Sequence, residues 1–321
     1  MTVDKVIAKI IWLTFFGPPC IYICITVLLL KKFYDLSSTF VYRSLTYIIG
    51  IFMWIQVDKS TVCRTVHRVS RVISSLASQF VKFPETDHEL NDVMQQFYST
   101  SGIPGIIGAV DCTHVAIQSP GTDEAEIYRN RKGHFSVNVQ LVSDCTGFVT
   151  NVVARWPGSV HDSTIFDNCH LRARFETGDL KGCLVGDSGY ACRRYLLTPV
   201  NNPTTPAETA YNNAHATARN CIERANGILK RRFPVLKYGI RLHIDNTLPV
   251  IVAAVVLHNI ALIVGDEEPG EDEQLAEYMA TRRQELLADD YNEQEVQPPD
   301  VTNLPGACGM RHTIINSYFW L

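Results

Sequence analysis

The spacing of apolar residues predicts two helices before residue 104. Between residues 58 and 82, valine, isoleucine and leucine recur at helical spacing behind a helix-start signal, Asp58-Lys59-Ser60-Thr61. A second helix fits His88 to Tyr98, and the turn Gly102-Ile103-Pro104-Gly105 follows it. The pattern therefore predicts a helical region over residues 57–104.

The centre of the chain has the pattern of β-strands separated by helices. Ile106–Ile117 is a long apolar run with polar insertions, Ser136–Val142 alternates with period two, and Phe148–Ala154 follows a hairpin turn. A fourth, short strand fits Cys183–Gly186. Helices are predicted at about Asp162–Phe175, Glu208–Arg232 and Leu248–Val264. This order favours an α/β fold, in which helices flank a mixed sheet.

Composition divides the chain into four parts. An apolar N-terminal segment covers residues 1–56, the helical region covers 57–104, the α/β domain covers 105–265, and an acidic tail covers 266–321. Hydrophobic residues make up 46% of the chain and charged residues 19%, which excludes a disordered protein overall. We expect the acidic tail to be mobile.

The N-terminal segment contains a run that could cross a membrane. Ile10–Leu30 has no charged residue, and its 21 residues are long enough for a hydrocarbon core of about 30 Å. Gly17-Pro18-Pro19 interrupts the run and weakens a single-helix interpretation. The alternatives are a buried helical segment, a poorly specified extension and a cleaved signal peptide.

The negative net charge of the chain comes from its acidic tail. The overall value of −4 argues against a nucleic-acid partner. However, residues 266–300 carry a net charge of −11, and the rest of the chain has 27 basic and 20 acidic residues. A chain that is basic outside its acidic tail is compatible with binding to DNA.

The ten cysteines form no Cys-x-x-Cys pair and lie scattered in apolar stretches. This distribution predicts buried free thiols in a reducing compartment, and it argues against a zinc site.

Four carboxylates are candidate metal ligands. Asp111 lies in an apolar strand, Asp187 follows a short strand, and Glu223 lies on the long helix beside an apolar stripe. Asp162, next to His161, is a fourth candidate. Carboxylate oxygens are typical ligands of Mg²⁺ or Mn²⁺, and a pair of these ions is used to cut phosphodiester bonds.

Each acid also has a structural interpretation. Asp111 could pair with an arginine or a hydroxyl group, and Asp187 could form a turn. Glu223 could form a solvated ion pair with Arg219, and Asp162 could cap the helix that follows it. The joint placement of these acids favours a functional site.

Basic residues cluster in the same part of the chain. Each cluster is either a solvated face or a set of phosphate contacts. The clusters are Arg129-Asn130-Arg131-Lys132, Arg172 with Arg174, Arg193-Arg194, and Arg219, Arg224 and Lys230-Arg231-Arg232. The chain contains no Walker-type loop, Gly-x-Ser-x-Gly motif or His-Glu-x-x-His motif, which narrows the possible enzyme classes.

Six ordered blocks make the chain similar to the PIF/Harbinger transposase superfamily over roughly residues 58–266. The blocks are Val110–Ile117, Tyr128–Gly133, Trp156–Asp162, Gly186–Tyr190, Ile222-Glu223-Arg224 and Leu257-His258-Asn259. Ser60–Arg68 resembles the recognition-type helix of the family's helix-turn-helix, but the apolar segment before it does not resemble the first helix of that unit.

The resemblance implies an RNase H-like fold with a DDE-type catalytic centre that uses a divalent metal cation. Asp111, Asp187 and Glu223 match the acidic triad of the family, and Asp162 matches a further acidic position regarded as a metal ligand. The family is nuclear and acts on DNA with a separate Myb-like DNA-binding partner. We therefore expect a metal-dependent endonuclease in the nucleus, and also in the cytoplasm.

Two other functions remain open. The chain could be a catalytically silent domesticated transposase that binds DNA or a Myb-like partner. It could also be membrane-associated through residues 10–30.

Overall fold

The computed structural model describes residues 59–121, 125–270 and 308–319, together with Glu273 and Glu277. Its helices are α1 (Lys59–Ser74), α2 (Ala77–Phe80), α3 (Asp87–Ser101), α4 (Asp162–Asp167), α5 (His170–Thr177), α6 (Pro206–Arg232), α7 (Val235–Tyr238), α8 (Ile244–Ile263) and α9 (Gly309–Tyr318). Its strands are β1 (Ile106–Ala116), β2 (Ser136–Ser143), β3 (Val149–Pro157), β4 (Cys183–Val185) and β5 (Leu196–Leu197).

The strands form one five-stranded mixed sheet in the order β3-β2-β1-β4-β5. The strands β1, β2 and β3 pair antiparallel, whereas β4 is parallel to β1 and β5 is parallel to β4. The prediction of an α/β fold with a mixed sheet is confirmed. The sequence pattern did not predict β5, because two apolar residues in a loop carry no periodicity.

Helices cover both faces of the sheet. On one face, Ala109 and Val139 share a buried cluster with Ile222 of α6 and Val255 of α8. On the other face, Val110 and Val142 pack with Phe166 of α4 and Phe175 of α5. Alternate side chains of β1 thus pack into hydrophobic cores on opposite faces of the sheet. Because both faces are buried, the sequence of this strand is a continuous apolar run.

The long helix α6 begins two residues before its predicted start. Thr205 and Glu208 form a capping box, in which the Glu208 amide donates to Thr205 Oγ1 at 3.1 Å and the Thr205 amide donates to Glu208 Oε2 at 3.0 Å. Pro206 occupies the first turn, where its missing N–H is tolerated. The sequence pattern also predicted a single helix over residues 162–175, but the structure has α4 and α5 there, with Cys169 as the N-cap of α5.

The acidic tail is anchored at both of its described ends. Asp266 forms a buried ion pair with Arg232 at the end of α6. At the other end α9, which the sequence pattern did not predict, buries Arg311, Ile314 and Ile315. Arg311 donates to the carbonyl oxygen of Pro199 at 2.9 Å. Gly309–Tyr318 is therefore a packed helix within the tail that we expected to be mobile.

Among the described residues, one helix has the length and apolar character of a membrane span, namely α8. Half of its most apolar window is buried in the protein, and it carries His258 and Asn259, which are fully buried and hydrogen-bonded. These features are those of a core helix. The candidate span at residues 10–30 lies outside the described part of the chain.

The cysteines in the described part of the chain are free thiols, as predicted. Cys63 is exposed on α1, so the prediction of burial is wrong for this residue.

Two buried histidines are neutral parts of the core. His258 Nε2 lies 3.2 Å from the carbonyl oxygen of Gly147, and His215 Nε2 lies 3.1 Å from that of Leu197. Burial lowers the pKa of both histidines to about 4. The unfolded chain, in which a histidine has a pKa near 6.5, therefore binds more protons between about pH 6.5 and pH 4.

We expect the free energy of unfolding to fall as the pH is lowered through this window. Each histidine should contribute a loss of about 2 kcal/mol between pH 6.5 and pH 5. Burial raises the pKa of Asp111 to about 6, which acts in the opposite direction and removes part of this loss. Thermal unfolding across this pH range should show the decrease. His258→Gln, which keeps a donor, should flatten the curve, and an unchanged slope would contradict this assignment.

Candidate active site

Sheet register brings two of the candidate acids together. Ala109 of β1 pairs with Val185 of the parallel strand β4. Asp111 and Asp187 each follow this pair by two residues, so they lie side by side where β4 ends. Gly189 N–H donates to Asp187 Oδ1 at 3.0 Å, so the turn that was considered as an alternative role for Asp187 is present as well.

Helix α6 supplies the residues that face Asp111. Asn226 Nδ2 donates to Asp111 Oδ2 at 2.9 Å, and Arg219 lies 3.8 Å from Asp111 Oδ1. The apolar stripe of α6 fixes this orientation, since Ile222 and Leu229 are buried against the sheet and the polar stripe beside them therefore reaches its edge.

Glu223 is linked to Asp111 through Arg219. Arg219 NH2 lies 3.2 Å from Glu223 Oε1, in the pairing that the sequence pattern offered as an alternative. The side chain of Glu223 is 53% exposed, whereas that of Arg219 is only 17% exposed. The ion pair is therefore half-buried at the rim of the site and is not a fully solvated surface contact.

Asp162 approaches Asp111 and Asp187 from the other side of the sheet. The N-cap residue of α4 is His161, and Asp162 is the first residue of the helix. Asn138 Nδ2, on β2, donates to Asp162 Oδ1 at 2.7 Å and to the carbonyl oxygen of Val160 at 2.9 Å. The side chain of Asp162 is thus held toward the sheet, and the N-cap position belongs to His161, whose side chain makes no capping hydrogen bond.

The pKa values show that these carboxylates act on one another. Burial raises the pKa of Asp111 to about 6; Arg219 opposes this shift, and the charges of Asp187 and Asp162 add to it. Burial also raises the pKa of Asp187, with further increases from Asp162 and Glu223. Arg219 and the Gly189 hydrogen bond lower it. Asp111, Asp162, Asp187 and Glu223 therefore interact electrostatically, and together they are called the acidic group.

This group has the donor set for a hard divalent cation. Besides the four carboxylates, the buried Oδ1 atoms of Asn138 and Asn226 have no hydrogen-bond partner among the described residues. Oxygen donors of these kinds suit Mg²⁺ or Mn²⁺, and a cation would relieve the mutual repulsion of the acids. Within the described ranges, no three His, Cys, Asp or Glu side chains already converge closely enough to hold an ion.

Residues 110–259 match a family model described as DDE superfamily endonuclease. The chain is 37% identical to the rat protein named "Putative nuclease HARBI1" over 253 residues, which cover 73% of this chain and 72% of the rat protein. The chain belongs to the harbinger transposase-derived nucleases of the DDE superfamily.

Other relatives share the same region. The human protein of the same name is 36% identical over 65% of this chain and 60% of its own length. The Arabidopsis protein named "Antagonist of like heterochromatin protein 1" is 23% identical over 65% of this chain and 57% of its own length. No solved structure gives a significant match.

In this member of the family, a glycine holds a basic loop beside Asp162. A Cβ atom on Gly158 would lie 2.6 Å from the carbonyl oxygen of Tyr128, so only glycine permits this approach. The loop carries Arg131, which contacts His161 Nδ1. The block from Trp156 to Asp162 therefore places a basic loop at the acidic group.

A second basic contact comes from α6. Lys230 Nζ donates to the carbonyl oxygen of His114 at 3.0 Å. Burial lowers the pKa of His114, and the charges of Lys230, Arg131 and Lys132 lower it further, while Asp162 raises it. These three cations therefore surround the end of β1, next to the acids.

Other predicted basic clusters have structural roles. Arg172 and Arg193 both pair with Asp167, at 3.4 Å and 2.8 Å. Arg194 donates to the carbonyl oxygen of Phe175, and Arg231 donates to that of Pro269. Asn138, like Asn226, is a site residue that the sequence analysis missed. Its only signal was a polar residue in an alternating strand, a pattern that usually indicates a solvent-facing side chain.

Proposed function

We propose that the protein is a divalent-metal-dependent endonuclease that hydrolyses DNA phosphodiester bonds by a two-metal mechanism. The observation that carries the proposal is the grouping of Asp111, Asp162, Asp187 and Glu223, since the charges of Asp187 and Asp162 raise the pKa of Asp111 and those of Asp162 and Glu223 raise the pKa of Asp187. Membership in the DDE endonuclease family supports the same assignment. The strand order β3-β2-β1-β4-β5, with its first three strands antiparallel, supports an RNase H-like sheet.

The acids have distinct roles in this proposal. Asp111, Asp187 and Glu223 would hold the ions, and Asp162 would act as a further ligand or orienting group. When bound, Mg²⁺ or Mn²⁺ ions would activate a water molecule and stabilise the leaving 3′ oxygen. Asn226 and Asn138 would orient Asp111 and Asp162 through the hydrogen bonds that they donate.

The basic residues at the end of β1 would hold the DNA backbone. Arg131, Lys132 and Lys230 provide three positive charges within electrostatic reach of His114, three residues after Asp111 in β1. Phosphate contacts of this kind position DNA without reading its sequence. We propose that sequence selection comes from a separate Myb-like partner and that the protein acts in the nucleus and also in the cytoplasm.

A second candidate is a catalytically silent scaffold that binds DNA or a protein partner. The name of the Arabidopsis relative, an antagonist of another protein, favours this candidate. A scaffold does not cut DNA, whereas the proposed nuclease does so with metal ions held by the acidic group. Membrane association through residues 10–30 is a further possibility, and extraction of the expressed protein with carbonate tests it.

We expect the full-length protein to nick supercoiled plasmid DNA when Mg²⁺ or Mn²⁺ is present. Excess EDTA should abolish nicking, and renewed metal should restore it. Calorimetric titration with Mn²⁺ should show specific binding that is lost when the acidic group is neutralised. Binding without nicking would favour the scaffold with a surviving metal site, and the absence of both would contradict the nuclease.

A further inference from the structure

A largely buried arginine at the acidic group contacts two of the proposed metal ligands. Arg219 NH2 lies 3.2 Å from Glu223 Oε1 and 3.8 Å from Asp111 Oδ1. The side chain is only 17% exposed, and its Nε is buried without a hydrogen-bond partner among the described residues. The guanidinium is thus held chiefly by charge, and one of its donors is unsatisfied.

The positive charge of Arg219 acts on two of the four acids. It lowers the pKa of Asp111 and of Asp187, against the larger effect of burial. The guanidinium therefore offsets part of the mutual repulsion of the carboxylates that it contacts. This is the electrostatic effect that a bound divalent cation would have.

A metal ion and Arg219 compete for the same oxygens. Glu223 Oε1 engages the guanidinium, and a metal ion at Glu223 would require that oxygen or the rest of the same carboxylate. Two further positive charges beside a buried guanidinium would also repel it. Metal binding should therefore displace Arg219 from Glu223.

The displaced guanidinium needs another anion. Its planar set of N–H donors matches the oxygens of a phosphate group, which it can bind in a bidentate manner. The scissile phosphate would lie at the acidic group itself, so a short movement of the side chain is sufficient.

We propose that Arg219 is a positioning residue that holds the acidic group in the absence of metal, competes with divalent cations for Glu223, and moves to a DNA phosphate when metal binds. This inference rests on the proposed nuclease function. It requires that metal and DNA each increase the affinity of the protein for the other, since such coupling is reciprocal.

The first test is Mn²⁺ binding without DNA. Arg219→Gln removes the competing charge, so calorimetry should show Mn²⁺ binding about tenfold tighter than in the wild-type protein, a typical size for coupling between sites. The matched control is Arg224→Gln, an exposed arginine on the same helix, which should bind Mn²⁺ like the wild type. Equal or weaker binding by Arg219→Gln would overturn the proposal.

The second test is the effect of a divalent ion on DNA binding. The anisotropy of a labelled 20-base-pair duplex is measured in EDTA and in Ca²⁺, an oxygen-binding cation, with intact strands verified on a gel afterwards. Wild-type affinity should rise about tenfold with Ca²⁺, and Arg219→Gln should lose most of this gain. An undiminished gain in the variant would also overturn the proposal.

Arg219→Lys keeps the test decisive if the glutamine variant fails to fold. It retains the charge but lacks the planar fork, so it should bind Mn²⁺ like the wild type and show a smaller Ca²⁺-dependent gain in DNA affinity. The lysine variant overturns the proposal if it keeps the full gain. If wild-type protein binds no Mn²⁺ and Arg219→Gln binds none either, the proposed function fails together with this inference. If the wild type binds Mn²⁺ and both Arg219 variants match it in Mn²⁺ affinity and in the Ca²⁺-dependent gain in DNA affinity, only the role of Arg219 fails.

Discussion

Asp187→Asn is expected to abolish metal-dependent nicking while leaving the fold intact. The substitution removes one negative charge from the acids that would hold the metal ions. Losing the charge of a metal ligand costs several kcal/mol of transition-state stabilisation, which corresponds to at least about a 100-fold loss of rate. Nicking of supercoiled plasmid at saturating Mg²⁺ measures this loss.

The structural consequence of the same substitution should be small or favourable. Asparagine keeps an oxygen that can accept the Gly189 N–H, which donates to Asp187 Oδ1 at 3.0 Å. Burial and the charges of Asp162 and Glu223 raise the pKa of Asp187, so ionised Asp187 is a source of repulsion in the metal-free protein. The melting temperature should therefore stay equal to the wild-type value or rise. A loss of activity at equal or higher stability is typical of a functional residue.

The control for this substitution is Asp92→Asn, a change of the same kind at an exposed position on α3. Asp92 pairs with the exposed His88 and lies outside the acidic group. This variant should nick at the wild-type rate. Full nicking by Asp187→Asn, with purity and metal content verified, would remove Asp187 from the catalytic assignment.

The placement of the acids follows from the sequence only in part. An apolar strand around Asp111 and a strand before Asp187 are visible as local patterns. Their adjacency depends on the parallel pairing of β1 with β4, which joins residues far apart in the chain. The periodicity of a strand does not identify its neighbour, so the resemblance to a family had to supply that link.

Strand β2 shows a second limit of sequence patterns. Polar residues alternate along it, which predicts a face turned to solvent, but all eight residues are buried. The polar face carries Asn138, whose amide holds Asp162 at the start of α4. A buried polar residue that hydrogen-bonds to a site residue has the same local sequence pattern as a polar residue that faces water.

The basic residues show why charge clusters are difficult to interpret locally. Arg172 and Arg193 belong to different clusters in the sequence but share Asp167 as a partner in the structure. Lys230 and Arg131, from two other clusters, meet at the end of β1. The role of each arginine or lysine depends on which acids the fold brings near it, and composition does not contain that information.

The second large effect is expected for Asn259→Asp, in the core. Asn259 is fully buried, and its Nδ2 donates to the carbonyl oxygens of Phe80 at 2.8 Å and Val149 at 2.6 Å. Its Oδ1 accepts the Val149 N–H at 2.9 Å. Aspartate keeps the acceptor but replaces the donor with an oxygen that faces two carbonyl oxygens. The free energy of unfolding should fall by about 3 kcal/mol or more.

A matched control exists on the same helix. Asn246 Oδ1 accepts a hydrogen bond from Arg71 at 3.0 Å near the start of α8, where its side chain is not fully buried. Asn246→Asp keeps this acceptor and adds a favourable charge beside the arginine, so its stability should stay within about 0.5 kcal/mol of the wild type. Denaturant unfolding of both variants measures the difference. Equal stability of the two variants would mean that the hydrogen bonds of Asn259 do not support the core.

The two predicted effects distinguish a residue of the proposed active site from a residue that stabilises the fold. Leu257-His258-Asn259 is one of the six blocks that carry the family resemblance, as is Gly186–Tyr190, but the resemblance implies a role only for Asp187 in the second of these blocks. Asn259 joins α8 to β3 and to the end of α2, and its hydrogen bonds involve none of the four acids. Asn259→Asp protein that remains folded at low temperature should therefore nick DNA at close to the wild-type rate, whereas fully folded Asp187→Asn should not.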